Sequence, residues 1–342
     1  MDSDDKCLIF LISQPRSGST LLQHVLGSHS EVCTLPEPWF MLHLVYGLRS
    51  SGIETEYNAQ YAYLALKGFL ERTIGGRGLY FAAVRTMALC LYRRALEISG
   101  KTYFLDKTPR YYLIIPELYS IFPKAGFIFL LRNPLAVLSS ILEVTFGGDW
   151  SGLITADRRN DILSAPRAIL NGIQRLGERA AVVHYERLVT DPDQTVKELC
   201  YRIGLEFEPD MLNYGGKVKF EGTTFVDPHS IYKHQSPVDD YLEKWRTGFD
   251  SAQKIHIAKS YLASLGRNTV DSLGYSYDDL EIKLNSLKSD RKQFIIPWKL
   301  LIAPSKEPPY WYRLMLSFVS SLQNRGFWET LRRCARFLIK RG

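Results

Sequence analysis

Eight residues near the start of the chain, Ser13-Gln14-Pro15-Arg16-Ser17-Gly18-Ser19-Thr20, bring together groups that bind anions. They overlay the phosphate-loop pattern G-x-x-x-x-G-K-[ST]. Ser13 stands for the first glycine, Gly18 for the second, Ser19 for the lysine and Thr20 for the final hydroxyl residue. The missing lysine is the group that reaches the β- and γ-phosphates of a nucleoside triphosphate, so the loop argues against ATP or GTP hydrolysis. What remains is a set of backbone N–H groups, a helix N-terminus, the hydroxyls of Ser17, Ser19 and Thr20, and the Arg16 guanidinium. That set suits an anion carrying one 5′-phosphate and one further group. The competing reading is an ordinary strand–loop–helix turn with a coincidental Gly and Ser.

The elements around the loop can be read from periodicity. Residues 7–13 are a short apolar run with the character of a buried parallel strand. Leu21, Leu22, Val25 and Leu26 then recur at helical spacing. Residues 39–100 follow a largely helical pattern, broken at 75–78, and form a helical insert over about 40–100 that carries no chemical motif. Further short strands are predicted at 103–105, 125–131 and 180–183, with helices at 134–144 and 193–203, Asp191 lying near the cap of the latter. Strands alternating with helices imply an α/β fold: a P-loop-like, doubly wound parallel sheet flanked by helices. In such sheets ligands bind beyond the carboxyl ends of the strands, where the chemical motifs lie. The expected organisation is one α/β domain over 1–285 and a basic, aromatic-rich, helical C-terminal extension over 286–342.

The stretch from Gln14 to Leu22 resembles the 5′-phosphosulfate-binding loop of sulfotransferases that use 3′-phosphoadenosine 5′-phosphosulfate (PAPS). A second resemblance is the strand-end Arg132, in Leu131-Arg132-Asn133-Pro134, with Ser140 eight residues later. In the family this pair contacts the donor's 3′-phosphate. An arginine at a strand's carboxyl end with a hydroxyl on the following helix is physically a good phosphate clamp. Tyr185, in Val183-His184-Tyr185-Glu186, resembles the tyrosine near the adenine, although a core tyrosine is an equal reading. Lys244, in Glu243-Lys244-Trp245-Arg246, resembles a lysine that can reach the nucleotide. The resemblance covers residues 7–275 and is strongest to the bacterial and tyrosylprotein-type branch.

That branch places a glutamate after the first helix as catalytic base, which implies Glu37 in Leu35-Pro36-Glu37-Pro38. Its second-strand motif implies Lys107, in Asp106-Lys107-Thr108-Pro109-Arg110, as a group that reaches the transferring sulfuryl. No histidine occurs between His43 and His184, so the histidine base of the small-molecule branch is not expected. The implied chemistry is in-line attack by an acceptor hydroxyl, with Glu37 as general base and Lys107 and Arg16 stabilising charge. The co-substrate would be PAPS and the product 3′-phosphoadenosine 5′-phosphate, with no metal. The acceptor is open among glycan, lipid-linked, metabolite and peptide-tyrosine hydroxyls. Two alternatives compete: a P-loop nucleotide-dependent kinase, and a non-catalytic binding module on the same fold. His24 reads as a solvated or packing residue on the first helix, and His29 likewise carries no chemical role.

Composition constrains the setting. The net charge of +7 is a property of the tail, because residues 291–342 hold eleven Lys and Arg against two acids. The body is therefore slightly acidic and gives no reason to expect nucleic acid as a partner. Five scattered cysteines without a CxxC pair, and an acidic start without a basic leader, fit a cytoplasmic protein. In the tail, Phe327, Leu331, Cys334, Ala335 and Leu338 share one helical face, and Arg332, Arg333, Arg336 and Lys340 the other. Such a basic amphipathic helix suits peripheral attachment to an anionic membrane surface or docking to a partner protein. Packing on the body with snorkelled cations explains it equally well.

Overall fold

The computed structural model describes residues 5–73, 75–218, 233–289, 295–302, 309–325 and 329–330. Five strands are present among them: β1 (Leu8–Ser13), β2 (Val32–Thr34), β3 (Tyr103–Lys107), β4 (Gly126–Leu131) and β5 (Ala180–His184). All neighbours pair in parallel, in the order β2-β3-β1-β4-β5. Every residue of β1 is buried, as is all of β4 after its first glycine. Continuous apolar runs of this kind are what a sheet covered on both faces requires. From β1 the chain goes to the edge strand β2, returns to β3 beside β1, and then crosses to β4 and β5 on the other side, so the topological switch lies beside β1. Leu11 pairs with Lys107 and Ser13 with Leu130, which sets the ends of β3 and β4 at the edge where the anion loop leaves β1.

The first six α-helices are α1 (Ser19–Gly27), α2 (Phe40–Tyr46), α3 (Ala59–Arg72), α4 (Gly76–Ser99), α5 (Ile115–Ile121) and α6 (Pro134–Ser140). The helical insert is α2 to α4. Its break comes just before α4, where Gly75 takes a left-handed φ of 103° as the N-cap. The strands at 103–105 and 180–183 are longer than expected, so that Asp106, Lys107 and His184 are strand residues. β2 was not expected, because three residues are too few to show a period. The helix expected over 134–144 stops as α6 at Ser140 and continues as a single π-helical turn, Ile141–Thr145. The second expected helix runs Pro192–Ile203, and a further short helix, Tyr185–Thr190, precedes it.

The chain divides into two compact units. The first comprises Met1–Leu131 and Asn171–Val238, the second Arg132–Leu170 and Asp239–Gly342. The expected boundary near 285 falls inside the second unit. The core of the first unit centres on Phe10, whose ring lies 5.5 Å from that of Phe127 and 5.4 Å from that of Phe122. The second unit has its own core, with Leu138, Trp150, Trp245, Tyr261 and Leu316 buried in one cluster. Part of the C-terminal extension belongs to this core. The helix Tyr310–Arg325 buries Leu316, and its Gln323 accepts a hydrogen bond from Trp150 Nε1 at 3.1 Å. The amphipathic segment from Leu331 onward lies outside the described residues.

Among the described residues no helix is long and apolar enough to cross a membrane. Nor is any group of three or more His, Cys, Asp or Glu there placed to hold a metal ion. Among the described residues, Cys7, Cys33, Cys90 and Cys200 form no disulfide.

Candidate active site

The anion loop turns tightly after β1, with Ser17 N–H donating to Gln14 O at 3.2 Å. Arg16 takes a left-handed φ of 72°, rare for a residue with a Cβ, and Gly18 follows at 92°. Gly18 is the N-cap of α1 and supplies no side-chain cap, so the first N–H groups of the helix have no acceptor within it. Ser17 Oγ is buried and has no hydrogen-bond partner among the described residues. A buried hydroxyl without a partner is uncommon in native folds. Beside uncapped N–H groups at a helix start, it fits an oxyanion. Ser19 is buried and Thr20 half-buried at the same turn.

Tyr185, one residue past β5, is buried against this loop. A Cβ added at Gly18 would lie 2.4 Å from Tyr185 Cδ2 and 2.6 Å from Cε2. Glycine is thus required at position 18 twice, for its φ and for the closeness of the ring.

Glu37 and Lys107 meet. Lys107 Nζ donates to Glu37 Oε1 at 2.6 Å, with the lysine side chain 3% and the glutamate side chain 13% exposed. The other carboxylate oxygen, Oε2, accepts from Trp39 Nε1 at 2.9 Å. Trp39 holds a left-handed φ of 59° as it enters α2, and the Arg110 guanidinium lies 5.4 Å from its ring centre. Lys107 does not pair with its neighbour Asp106, because successive strand residues point to opposite faces. Asp106 faces the core. Its Oδ2 accepts from Tyr92 Oη at 2.6 Å and from Tyr111 Oη at 3.1 Å, and its Oδ1 from Thr108 Oγ1 at 2.8 Å. Burial pushes this carboxyl up to about 6, opposed by the three hydroxyl donors and reinforced by the Glu37 charge.

Both early histidines are buried, so His24 is not solvated. His24 Nδ1 lies 2.8 Å from Thr20 O, and burial pushes the imidazole below its usual range. His29 is buried, with Nε2 2.7 Å from Glu206 O.

Arg132, Ser140 and Lys244 belong to the second unit. Arg132 is the residue after β4 and is half-buried, and Asn133 then caps α6 by accepting from Leu135 N–H at 2.9 Å. Ser140 is the last residue of α6. Lys244 is exposed, with Nζ 5.2 Å from the ring centre of Tyr241. Gln23, Thr34 and Trp39 surround the Glu37 loop and were not singled out from sequence. The left-handed turn at Trp39 leaves no signature in residue type, and the polar contacts of Gln23 bridge segments distant in sequence.

The fold and site define an α/β protein with a tight strand–loop–helix turn at an uncapped helix start and a carboxylate–lysine pair at the end of a strand of the same sheet. A family model described as the sulfotransferase family matches residues 9–209. The chain belongs to the sulfotransferase family. It is 31% identical over 261 residues to the nodulation protein NoeE of Sinorhizobium fredii, across 70% of this chain. The chain spans 60% of NoeE's length. It is 23% identical over 283 residues to a putative protein-tyrosine sulfotransferase of Caenorhabditis briggsae, covering 80% of this chain and 93% of that one. A solved sulfotransferase domain from the Synechococcus PCC 7002 olefin synthase aligns at a TM-score of 0.49 and 24% identity, over 72% of this chain and 90% of that domain.

Proposed function

We propose that this chain is a sulfotransferase that uses PAPS to sulfate a hydroxyl-bearing acceptor. The observation that carries the reading is the anion loop: an uncapped helix start, a left-handed Gly18, and the buried Ser17 hydroxyl with no partner among the described residues. PAPS, when bound, supplies an activated sulfuryl group. The loop N–H groups and the hydroxyls of Ser17, Ser19 and Thr20 hold its 5′-phosphosulfate end. Arg132 and Ser140 hold its 3′-phosphate, and Tyr185 and Lys244 serve the nucleotide.

Glu37 accepts the proton of the acceptor hydroxyl. Lys107, one hydrogen bond from Glu37, and Arg16 place positive charge where negative charge develops. The acceptor is a glycan, lipid-linked, metabolite or peptide-tyrosine hydroxyl. The basic segment after Leu331 serves as a contact for an anionic membrane surface or a partner protein. Retention of the full chain in the supernatant with anionic liposomes removes the membrane arm.

The deciding experiment is calorimetric titration with 3′-phosphoadenosine 5′-phosphate, and separately with ATP and magnesium, for wild type and Arg132→Ala. Magnesium-independent binding of the bisphosphate, weakened by Arg132→Ala, is the expected result. Binding of ATP–magnesium alone would replace this reading with that of a kinase.

A further inference from the structure

We infer that Gln23 and Thr34 are positioning residues for Glu37, an inference that rests on the reading of Glu37 as the base. Gln23 lies one turn into α1 and is only 1% exposed. A glutamine is rarely buried so deeply unless its amide is satisfied. Its Nε2 donates to Thr34 Oγ1 at 2.8 Å and to Leu35 O at 2.9 Å. Thr34 Oγ1 in turn donates to Leu105 O at 2.9 Å. One side-chain amide therefore ties together three segments: the helix behind the anion loop, the end of β2 that leads to Glu37, and β3 just before Lys107.

The backbone of the Glu37 loop has few bonds of its own to offer. Pro36 and Pro38 flank Glu37, and neither has an N–H to donate. The Leu35 carbonyl is thus a principal anchor two residues before the carboxylate. Gly27, one turn after Gln23 on the same face of α1, supports the same contact. A Cβ there would lie 2.7 Å from Thr34 Cγ2, so α1 meets Thr34 at glycine distance. Helix and strand are pressed together where the amide makes its two bonds. The consequence is that Gln23 and Thr34 set where Glu37 stands relative to Lys107, without either touching a reacting atom.

The test compares wild type with Gln23→Leu, Thr34→Val and Thr34→Ser. Two readouts are taken: amide hydrogen exchange along residues 35–40, and steady-state transfer from PAPS to 4-nitrophenol as probe acceptor. Losing the two amide bonds is expected to raise exchange at Glu37 and Trp39 by about tenfold and to lower kcat by a similar factor. Affinity for 3′-phosphoadenosine 5′-phosphate and exchange in β1 and β4 should hold within about twofold, since the anion loop is not touched. Thr34→Ser, which keeps the hydroxyl, should behave as wild type. Unchanged exchange at Glu37 and Trp39 in Gln23→Leu overturns the inference. Raised exchange there, in an enzyme whose Glu37→Gln variant turns over normally, overturns the base reading instead.

Discussion

Lys107 Nζ stands 2.6 Å from Glu37 Oε1, and both side chains are largely withdrawn from water. The two residues are seventy positions apart and meet only because β2 and β3 are neighbours in the sheet. A pair of this kind is better judged by what is stranded when one partner goes than by its own attraction. Lys107→Met leaves the Glu37 carboxylate with Trp39 as its named donor, and should cost about 3 kcal/mol of stability. Glu37→Gln on that background removes the stranded charge and should recover part of the loss. Urea denaturation of the two single variants and the double variant checks this, and simple additivity would show that the pair is not coupled. Glu37→Gln alone should lower transfer to 4-nitrophenol by about 10²- to 10⁴-fold, the usual contribution of a general base.

Gly18 faces two constraints that a second substitution can separate. Gly18→Ala meets the Tyr185 ring and must also hold a φ of 92°. Tyr185→Ala removes the first obstacle and leaves the second, which costs an alanine about 1–2 kcal/mol. The single Gly18→Ala variant should therefore lose binding of 3′-phosphoadenosine 5′-phosphate by more than tenfold. Because Tyr185 itself serves the nucleotide, the double variant is read against Tyr185→Ala alone: on that background Gly18→Ala should cost less binding than in wild type, but still some. No cost there would mean that the φ carries no weight, and an equal cost that the ring is not the obstacle. Calorimetric titration resolves the three outcomes.

The parts legible in the sequence were those with a strong local signal. The runs 8–12 and 127–131 are apolar throughout, and that alone identifies buried parallel strands. The anion loop was legible because its chemistry is contiguous over eight residues. β2 was not, since Val32-Cys33-Thr34 is too short for a period and is held in place by pairing with β3. The turn at Ile141–Thr145 was missed for a different reason. Its residues continue the helical pattern of α6, and only the hydrogen-bond register changes to a π turn. The Lys107–Glu37 contact was invisible as a contact. Resemblance pointed to both residues, but a pairing across seventy positions follows from strand order, which no local pattern encodes. Asp106 offered even less: strand alternation separates it from the lysine beside it, but does not say which hydroxyls it meets on the other face.

Asp106 leads to the last prediction. Its carboxyl is buried, accepts three hydroxyl bonds, and is pushed up to about 6. In the unfolded chain an aspartate titrates near 4. Between those two values the native state holds more protons than the unfolded state, so stability falls as pH rises through that window. The contribution is fully present below about pH 4, declines by about 3 kcal/mol up to pH 6, and is flat above it. This is the reverse of the dependence given by a surface carboxylate such as Glu198, which the Arg187 guanidinium and Gln194 amide hold down to about 2. Opposing terms of that sort would hide the effect in wild type alone. The comparison with Asp106→Asn removes them, because every other group is common to both proteins. Hydrogen exchange of the β3 amides, measured from pH 4 to 7, should show wild-type protection falling relative to Asp106→Asn across the window. Parallel profiles would mean that Asp106 is ionised throughout, with its three hydroxyl donors outweighing the cost of burial.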